Sequence, residues 1–417
     1  MSHQPIRRVA LFSGNYNYVR DGANQALNRL VDYLERSNVR VRVYTPTTAT
    51  PAFEGSGEIV GVPSCRLPFG RGEYRLGLGL SSKIRADLSA FKPDLVHLSC
   101  PDILGHSALR YAKTAGIPVV ASMHTRFETY PRYYGQAWAE PLVMAILRRF
   151  YRRCDRVLVP AESMAKQLVG QGVDSLIRVW GRGIDRSQFS PSARQTDVRE
   201  AFGFSPDDVV VGFTGRLVME KGLCDFAAAI DRLVEMGVLH RILIVGAGPA
   251  RDWFSKRLPQ AHFTGFLQGA DLSRAIAAMD VFFNPSTTET FGNVTLEAMA
   301  SAVPVVAANA TGSRDLINHG VNGALVEAGN ARAFADALAA YCQNHSLRQR
   351  HGSAAFEASK LYDWDAINES VLRNYNEALV LAGKVEQSGQ AGGYRIFDGD
   401  PRNRSSLAGG ARAKASG

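Results

Sequence analysis

The feature that most restricts the fold is an alternation. Short apolar runs rich in β-branched residues, each followed by a segment with helical spacing, recur along most of the chain. "RVALFSG", "VRVYTP", "DLVHLSCP", "PVVASMHT", "RVLVPA" and "IRVWGRG" fill the first half, with amphipathic segments such as Asn24 to Arg36 and Ser82 to Phe91 between them. Runs that are apolar throughout read as parallel strands buried on both faces, with helices covering each face. The series pauses at the polar stretch "DRSQFSPSARQTD" and restarts with "VVVGFTGRL", "RILIVGAGP", "HFTGFL", "VFFNPS", "PVVAAN" and "GALVE".

Two doubly wound α/β domains facing one another across a cleft are therefore expected. A chain of 417 residues that is 46% apolar has enough material for two cores, and single cores stop growing near about 250–300 residues. The expected boundaries are 1–186 for the first domain, 187–197 for a linker and 198–362 for the second domain. A helix at 363–382 would return to the first domain, and a Gly-, Ser- and Arg-rich tail at 383–417 would be disordered.

A net charge of +9 favours an anionic partner: nucleic acid, a phosphorylated small molecule or an anionic membrane surface. The five cysteines form no C-x-x-C pair and no metal-spaced cluster with histidine, so neither a disulfide framework nor a zinc site is indicated. The first apolar run is too short for a signal peptide, and no 18-residue apolar stretch exists. A cytoplasmic protein is expected, with any membrane contact peripheral and on the inner face. Oligomeric state is not legible.

In open parallel sheets, ligands bind beyond the carboxyl ends of the strands. In the second domain this rule selects Gly215 and Arg216, then Lys221; Gly248; Phe266 and Leu267; and the stretch "TTETFGNVTLE". Arg216 and Lys221 flank a turn that opens a helix, which suits a diphosphate or, taken alone, a solvated basic loop. Gly248 lets backbone approach a ligand or makes a turn. Phe266 and Leu267 offer main-chain groups and an apolar wall to a base.

Phe291, Gly292, Asn293 and Val294 lead into a helix whose first N–H groups welcome a phosphate. Glu289 sits before that helix, placed to accept from sugar hydroxyls. Glu297 sits near its start, placed to accept from a ribose diol. The plainer alternative makes Glu289 a cap and Glu297 a surface ion pair.

In the first domain Asp21 reads as an N-cap with Gly22 beside it, and His124 ends the strand "PVVASMH". Trp180 to Asp185 either lines the crevice or turns the chain. No G-x-G-x-x-G is present: Gly246-x-Gly248 is followed by Arg251 where a third glycine belongs, which disfavours a dinucleotide-binding oxidoreductase. "PLVMAILRRFYRRCDR" sets arginines 148, 149, 152, 153 and 156 beside an apolar face, and "LPFGRGEYRLGLGLSSKIRADL" adds cations among leucines. Such stretches either lie on anionic lipid or are ordinary core with solvated arginines.

The E-x7-E pattern of Glu289 and Glu297 within "TETFGNVTLEAMASAVPVVA", together with "GRLVMEKG" and His124, resembles the retaining nucleotide-sugar glycosyltransferases of family 4. The resemblance runs to about residue 380 and implies the GT-B fold of two facing Rossmann-like domains. "VWGRGIDRSQFSP" and "TFGNV" look like the branch that contains sulfoquinovosyl diacylglycerol synthases and GDP-mannose-dependent lipid mannosyltransferases. Asp21-Gly22 stands where that family usually has a glycine pair.

The resemblance implies transfer of a hexosyl group from a nucleoside diphosphate sugar, GDP-mannose or a UDP-hexose, with retention. Arg216 and Lys221 match the family's diphosphate-binding cations, and His124 its first-domain active-site histidine. Gly22, Gly215, Gly248, Phe266, Leu267, Phe291, Gly292, Asn293, Val294 and Glu297 would hold the donor, with His124, Glu289, Arg216 and Lys221 catalytic. With no metal cluster in the sequence, Arg216, Lys221 and the helix N–H groups would neutralise the leaving diphosphate, so metal-independent turnover without a cofactor is expected. No second carboxylate is poised as a nucleophile, which favours front-face substitution.

The acceptor expected is a membrane lipid such as diacylglycerol, with a polysaccharide or soluble acceptor as the nearest alternative. An epimerase or a silent sugar-nucleotide sensor on the same scaffold are the rivals. Nucleic acid is disfavoured, because cleft carboxylates repel phosphates.

Overall fold

The computed structural model describes residues 5–19, 21–66, 75–129, 131 and 135–385. Part of the second basic stretch, at 67–74, and the expected disordered tail beyond residue 385 lie outside the described residues.

The chain divides into two α/β units. One runs to Gly181 and resumes at Trp364; the other is Arg182–Asp363. In the first unit, β1 (Arg8–Phe12), β2 (Arg40–Thr45), β3 (Glu58–Gly61), β6 (Leu95–Leu98), β7 (Val119–Ser122), β8 (Arg156–Val159) and β9 (Leu176–Val179) form a seven-stranded sheet. Its order is β3-β2-β1-β6-β7-β8-β9, with every pair parallel. A separate antiparallel ribbon joins β4 (Ser64–Arg66) to β5 (Arg75–Gly77).

Local chemistry sets the helix starts. Asp21 caps the helix Gly22–Arg36 by accepting from the Asn24 N–H at 2.8 Å, and Asp102 does the same for Ile103–Thr114 through Gly105, satisfying donors that the helix itself cannot.

The helix Trp364–Val385 closes the first unit. Val371, Tyr375 and Ala378 recur at helical spacing and are buried with Leu27, Leu30, Val120 and Trp180. Asp365 accepts from Arg36 at 2.7 Å, and Glu377 pairs with the buried Arg156 at 2.9 Å. Arg156 is therefore not part of the exposed basic face to which the sequence assigns it. It lies under the sheet, where a charge requires a partner, while Arg148, Arg149, Arg152 and Arg153 are exposed.

The second unit holds β10 (Val210–Thr214), β11 (Arg241–Val245), β12 (His262–Gly265), β13 (Val281–Asn284), β14 (Val305–Ala308) and β15 (Gly323–Val326) in the order β12-β11-β10-β13-β14-β15. The stretch expected as a linker, 187–197, falls inside this unit and is anchored to it. Arg194 donates to the carbonyls of Ala277 and Met279 and pairs with Asp280, which Arg199 also grips at 3.0 Å.

A cluster of phenylalanines organises this core. Phe226 is fully buried, stacked on Phe283 at 4.9 Å and edge-on to Phe213 and Phe254. Among the described residues no helix is long and apolar enough to cross a membrane. Truncating Phe226→Ala removes one ring from three contacts and should destabilise the second unit by about 3–5 kcal/mol. Denaturant unfolding followed by circular dichroism reads this, and an unchanged midpoint would show that the cluster does not hold the core.

Candidate functional site

The second sheet has one place where the chain changes direction. It lays β10, β11 and β12 outward in turn, then returns to the other side of β10 to lay β13. The loops leaving β10 and β13 therefore part at their carboxyl ends and open a crevice, the standard ligand position in such sheets.

The two loops are tied across that crevice. Lys221, in the turn Met219–Lys221 after β10, donates from Nζ to Glu289 Oε1 in the loop after β13, at 2.7 Å. The Thr288 hydroxyl donates to the Glu220 carbonyl at 3.2 Å. Gly222 starts the next helix at φ +75°, where a Cβ would lie 2.7 Å from the Pro285 carbonyl oxygen; only glycine fits both constraints. The sequence assigns Lys221 to diphosphate and Glu289 to sugar hydroxyls separately, and the structure makes them one ion pair. The ammonium keeps two further N–H donors, and the carboxylate keeps its other oxygen.

The β11 loop adds a second set of stitches. Leu217 donates to the Ala247 carbonyl and Ala250 to that of Leu217, each at 3.0 Å. A Cβ on Gly246 would lie 1.9 Å from the Gly215 carbonyl oxygen, and one on Gly248 2.4 Å from that of Leu217. Close packing of loop on loop thus accounts for Gly248. Arg216 is exposed beside this junction. Beyond β12, Phe266 is 65% exposed and Leu267 is partly covered.

The helix Asn293–Ala300 begins at Gly292, φ +100°, with no side-chain cap. Its first ladder bond runs from Leu296 to the Gly292 carbonyl, so the N–H groups of Asn293, Val294 and Thr295 precede the ladder. Phe291 does not offer its ring to a ligand. It is buried, edge-on against Tyr362 at 5.8 Å.

Glu297 lies one turn into this helix. Among the described residues it makes no cap and no ion pair: its Oε2 is buried without a hydrogen-bond partner, and burial pushes its carboxyl from about 4.5 to about 7. A buried acceptor left unmade costs about 1–3 kcal/mol and is rare in native proteins.

The remaining expected residues belong to the first unit. Gly22 is the first residue of its helix. His124 follows β7, half-buried, with its Nε2 2.8 Å from Ser122 Oγ and its ring edge-on to Trp180 at 5.3 Å. Trp180 is buried, so it supports the histidine and does not line an opening.

Sequence reasoning missed His97, Ser122 and Tyr375, which stand behind His124. His97 sits in "LVHL" and Ser122 in "VVAS", positions that read as plain strand core. Also in this unit, Leu76, Pro101, Asp102, Ile103, His106, Ser107, Arg110 and Ile146 line an open surface groove of about 490 Å³.

Two family models match: "Glycosyltransferase Family 4" over residues 20–188 and "Glycosyl transferases group 1" over residues 208–344. The chain is 35% identical to a GDP-mannose-dependent alpha-mannosyltransferase of Mycolicibacterium smegmatis, over 89% of this chain and 98% of that protein. It is 33% identical to the sulfoquinovosyl transferase SQD2 of Arabidopsis thaliana, over 90% and 74%. Among solved structures it is similar to Anabaena HepE in complex with UDP and glucose, with a TM-score of 0.69 at 22% identity, over 89% of this chain and 100% of that one. The architecture of two parallel-sheet α/β units is that of the GT-B fold.

A carboxyl raised in the folded state binds more protons than in the unfolded chain between about pH 4.5 and about pH 7, so its contribution to stability falls as pH rises through that window and is level above it. Glu297→Gln should remove this slope. Denaturant midpoints across the window, variant against wild type, check it, and identical slopes would contradict a buried, unpartnered carboxyl.

Proposed function

Because this chain belongs to glycosyltransferase family 4 and is a hexosyltransferase, we propose that it moves a hexosyl group from GDP-mannose or a UDP-hexose to a hydroxyl of a membrane lipid such as diacylglycerol, with retention. The observation that carries the donor half is the buried, unpartnered Oε2 of Glu297 at the crevice helix. A carboxylate accepts from the paired O–H donors of a ribose diol, and Glu297 as a residue is partly exposed at this helix. Two similar proteins, one a GDP-mannose-dependent mannosyltransferase and one solved in complex with UDP and glucose, support a nucleoside diphosphate sugar as the donor class.

The leaving group is a diphosphate, and the residues suited to its charge are at hand. Arg216 presents its exposed fork of donors, Lys221 its remaining N–H groups, and the helix start the N–H groups of Asn293 and Val294. Fixed donors aimed at developing charge lower the barrier because they need no reorganisation. In the front-face step, the acceptor oxygen bonds to the anomeric carbon as the bond from that carbon to the β-phosphate oxygen breaks. The acceptor proton passes to the departing phosphate oxygen. His124 orients the donor sugar, and turnover is expected without a divalent ion.

The lipid half rests on the first unit. Leu142 and Ile146, one turn apart on the helix Glu140–Tyr151, are 60% and 47% exposed, and Trp138 just before it is 78% exposed. Exposed Arg148, Arg149, Arg152 and Arg153 follow them in the chain, with Arg152 paired to Asp174 at 3.0 Å. Apolar residues beside cations are what an anionic bilayer surface binds, and an adjacent open surface groove is lined by Ile103, Ile146 and Arg110. Peripheral attachment to the inner face of the membrane follows.

Labelled nucleotide sugars incubated with anionic vesicles containing diacylglycerol should yield a labelled lipid of retained anomeric configuration, with chelator present. Isomerised donor without acceptor, label in soluble glycan alone, or loss of turnover restored by divalent ion would each contradict part of the reading. Arg216→Ala should lower kcat about a hundredfold with the unfolding midpoint unchanged.

A further inference from the structure

Four polar side chains form a line through the first unit, from its last helix to the residue proposed to face the donor sugar. The hydroxyl of Tyr375, on the helix Trp364–Val385, meets His97 Nδ1 in β6. His97 Nε2 lies 2.8 Å from Ser122 Oγ in β7, and Ser122 Oγ lies 2.8 Å from His124 Nε2. Tyr375, His97 and Ser122 are all buried, and Trp180 packs its edge against both imidazoles, at 6.0 Å and 5.3 Å.

Partner chemistry assigns the direction of every hydrogen in this line. Among the described residues the Tyr375 hydroxyl meets one polar atom, His97 Nδ1. A buried phenolic hydrogen needs an acceptor, so Tyr375 donates and Nδ1 of His97 accepts. A neutral imidazole that accepts at one nitrogen donates at the other, so His97 Nε2–H donates to Ser122 Oγ. The serine hydrogen then points onward and donates to His124 Nε2. We propose that Tyr375, His97 and Ser122 are positioning residues that hold His124 as its Nδ1–H tautomer, making it a fixed hydrogen-bond donor at Nδ1.

The fold makes the device possible. His97 and Ser122 lie on neighbouring strands, with His97 opposite Val120 and Ser122 two residues further on, so both side chains emerge on the same face. The final helix covers that face with Tyr375. Deep burial keeps His97 neutral, holding its imidazolium form down to about 3, so the relay does not reverse as pH changes around neutrality. A neutral donor polarises a sugar oxygen without taking the acceptor's proton, which leaves that proton to the departing phosphate. The consequence for turnover rests on the glycosyltransferase reading; the tautomer itself does not.

The test uses the full chain labelled with 15N-histidine, with the His124 signal assigned by its loss in His124→Gln. At a pH where the imidazole is neutral, the nitrogen shifts should report Nδ1–H at His124 in the wild type. In Ser122→Ala, and more weakly in Tyr375→Phe, the two tautomers should mix. Alongside, kcat should fall on the order of ten- to a hundredfold, the scale on which partners that orient a functional histidine act, with nucleotide affinity unchanged. Ser122→Thr keeps the hydroxyl and should retain both the tautomer and the rate. An Nε2–H signal at His124 in the wild type would overturn the assignment, as would a Ser122→Ala protein with wild-type tautomer and kcat. If no nucleotide sugar is turned over, the proposed function fails while the spectrum still decides the relay.

Discussion

The Lys221–Glu289 ion pair is the interaction on which the rest of the crevice between β10 and β13 depends. The two residues are far apart in sequence and leave the sheet on strands separated by the reversal of strand order. Joining them draws the β10 loop, with Arg216, toward the loop that ends in the uncapped helix and Glu297. The pair is largely shielded, with 28% and 13% of the two side chains exposed, so its strength comes from a directed, charge-assisted hydrogen bond. It also leaves each partner with unused capacity: the ammonium keeps two N–H donors and the carboxylate its other oxygen.

The same economy appears in the first unit. A helix formed by the end of the chain completes the core beside Leu27 and Leu30, covers the buried Arg156 with Glu377, and brings Tyr375 to His97. Packing, charge neutralisation and a hydrogen bond to His97 thus fall on one element. Damage to that helix would reach His124 without any direct contact, through the hydroxyl of Ser122.

Much of the architecture was legible because the strands are apolar throughout and the helices are amphipathic, two signals that local sequence carries in full. The crevice residues were legible for a related reason: they follow apolar runs, and the end of a buried strand is where a ligand has room. What local sequence does not carry is partnership. Lys221 and Glu289 read as two independent groups until the sheet order set them side by side. Phe291 reads as one of the donor-binding residues leading into the helix until Tyr362 covers its ring, and Arg194 reads as linker until Asp280 and two carbonyls hold it. His97 was hidden most completely, since a histidine in a four-residue strand has the pattern of core, and its partner lies 278 positions away.

The crevice between β10 and β13 is proposed to bind a nucleoside diphosphate. Its most direct test is the thermal unfolding midpoint of the full chain with UDP, GDP or ADP added, each compared in wild type and in a Lys221→Ala, Arg216→Ala double variant. A ligand at about 100 times its dissociation constant stabilises by roughly 2.7 kcal/mol, so one nucleotide should raise the wild-type midpoint by several degrees and leave the double variant where it was. No shift with any nucleotide, or an equal shift in both proteins, would contradict the account.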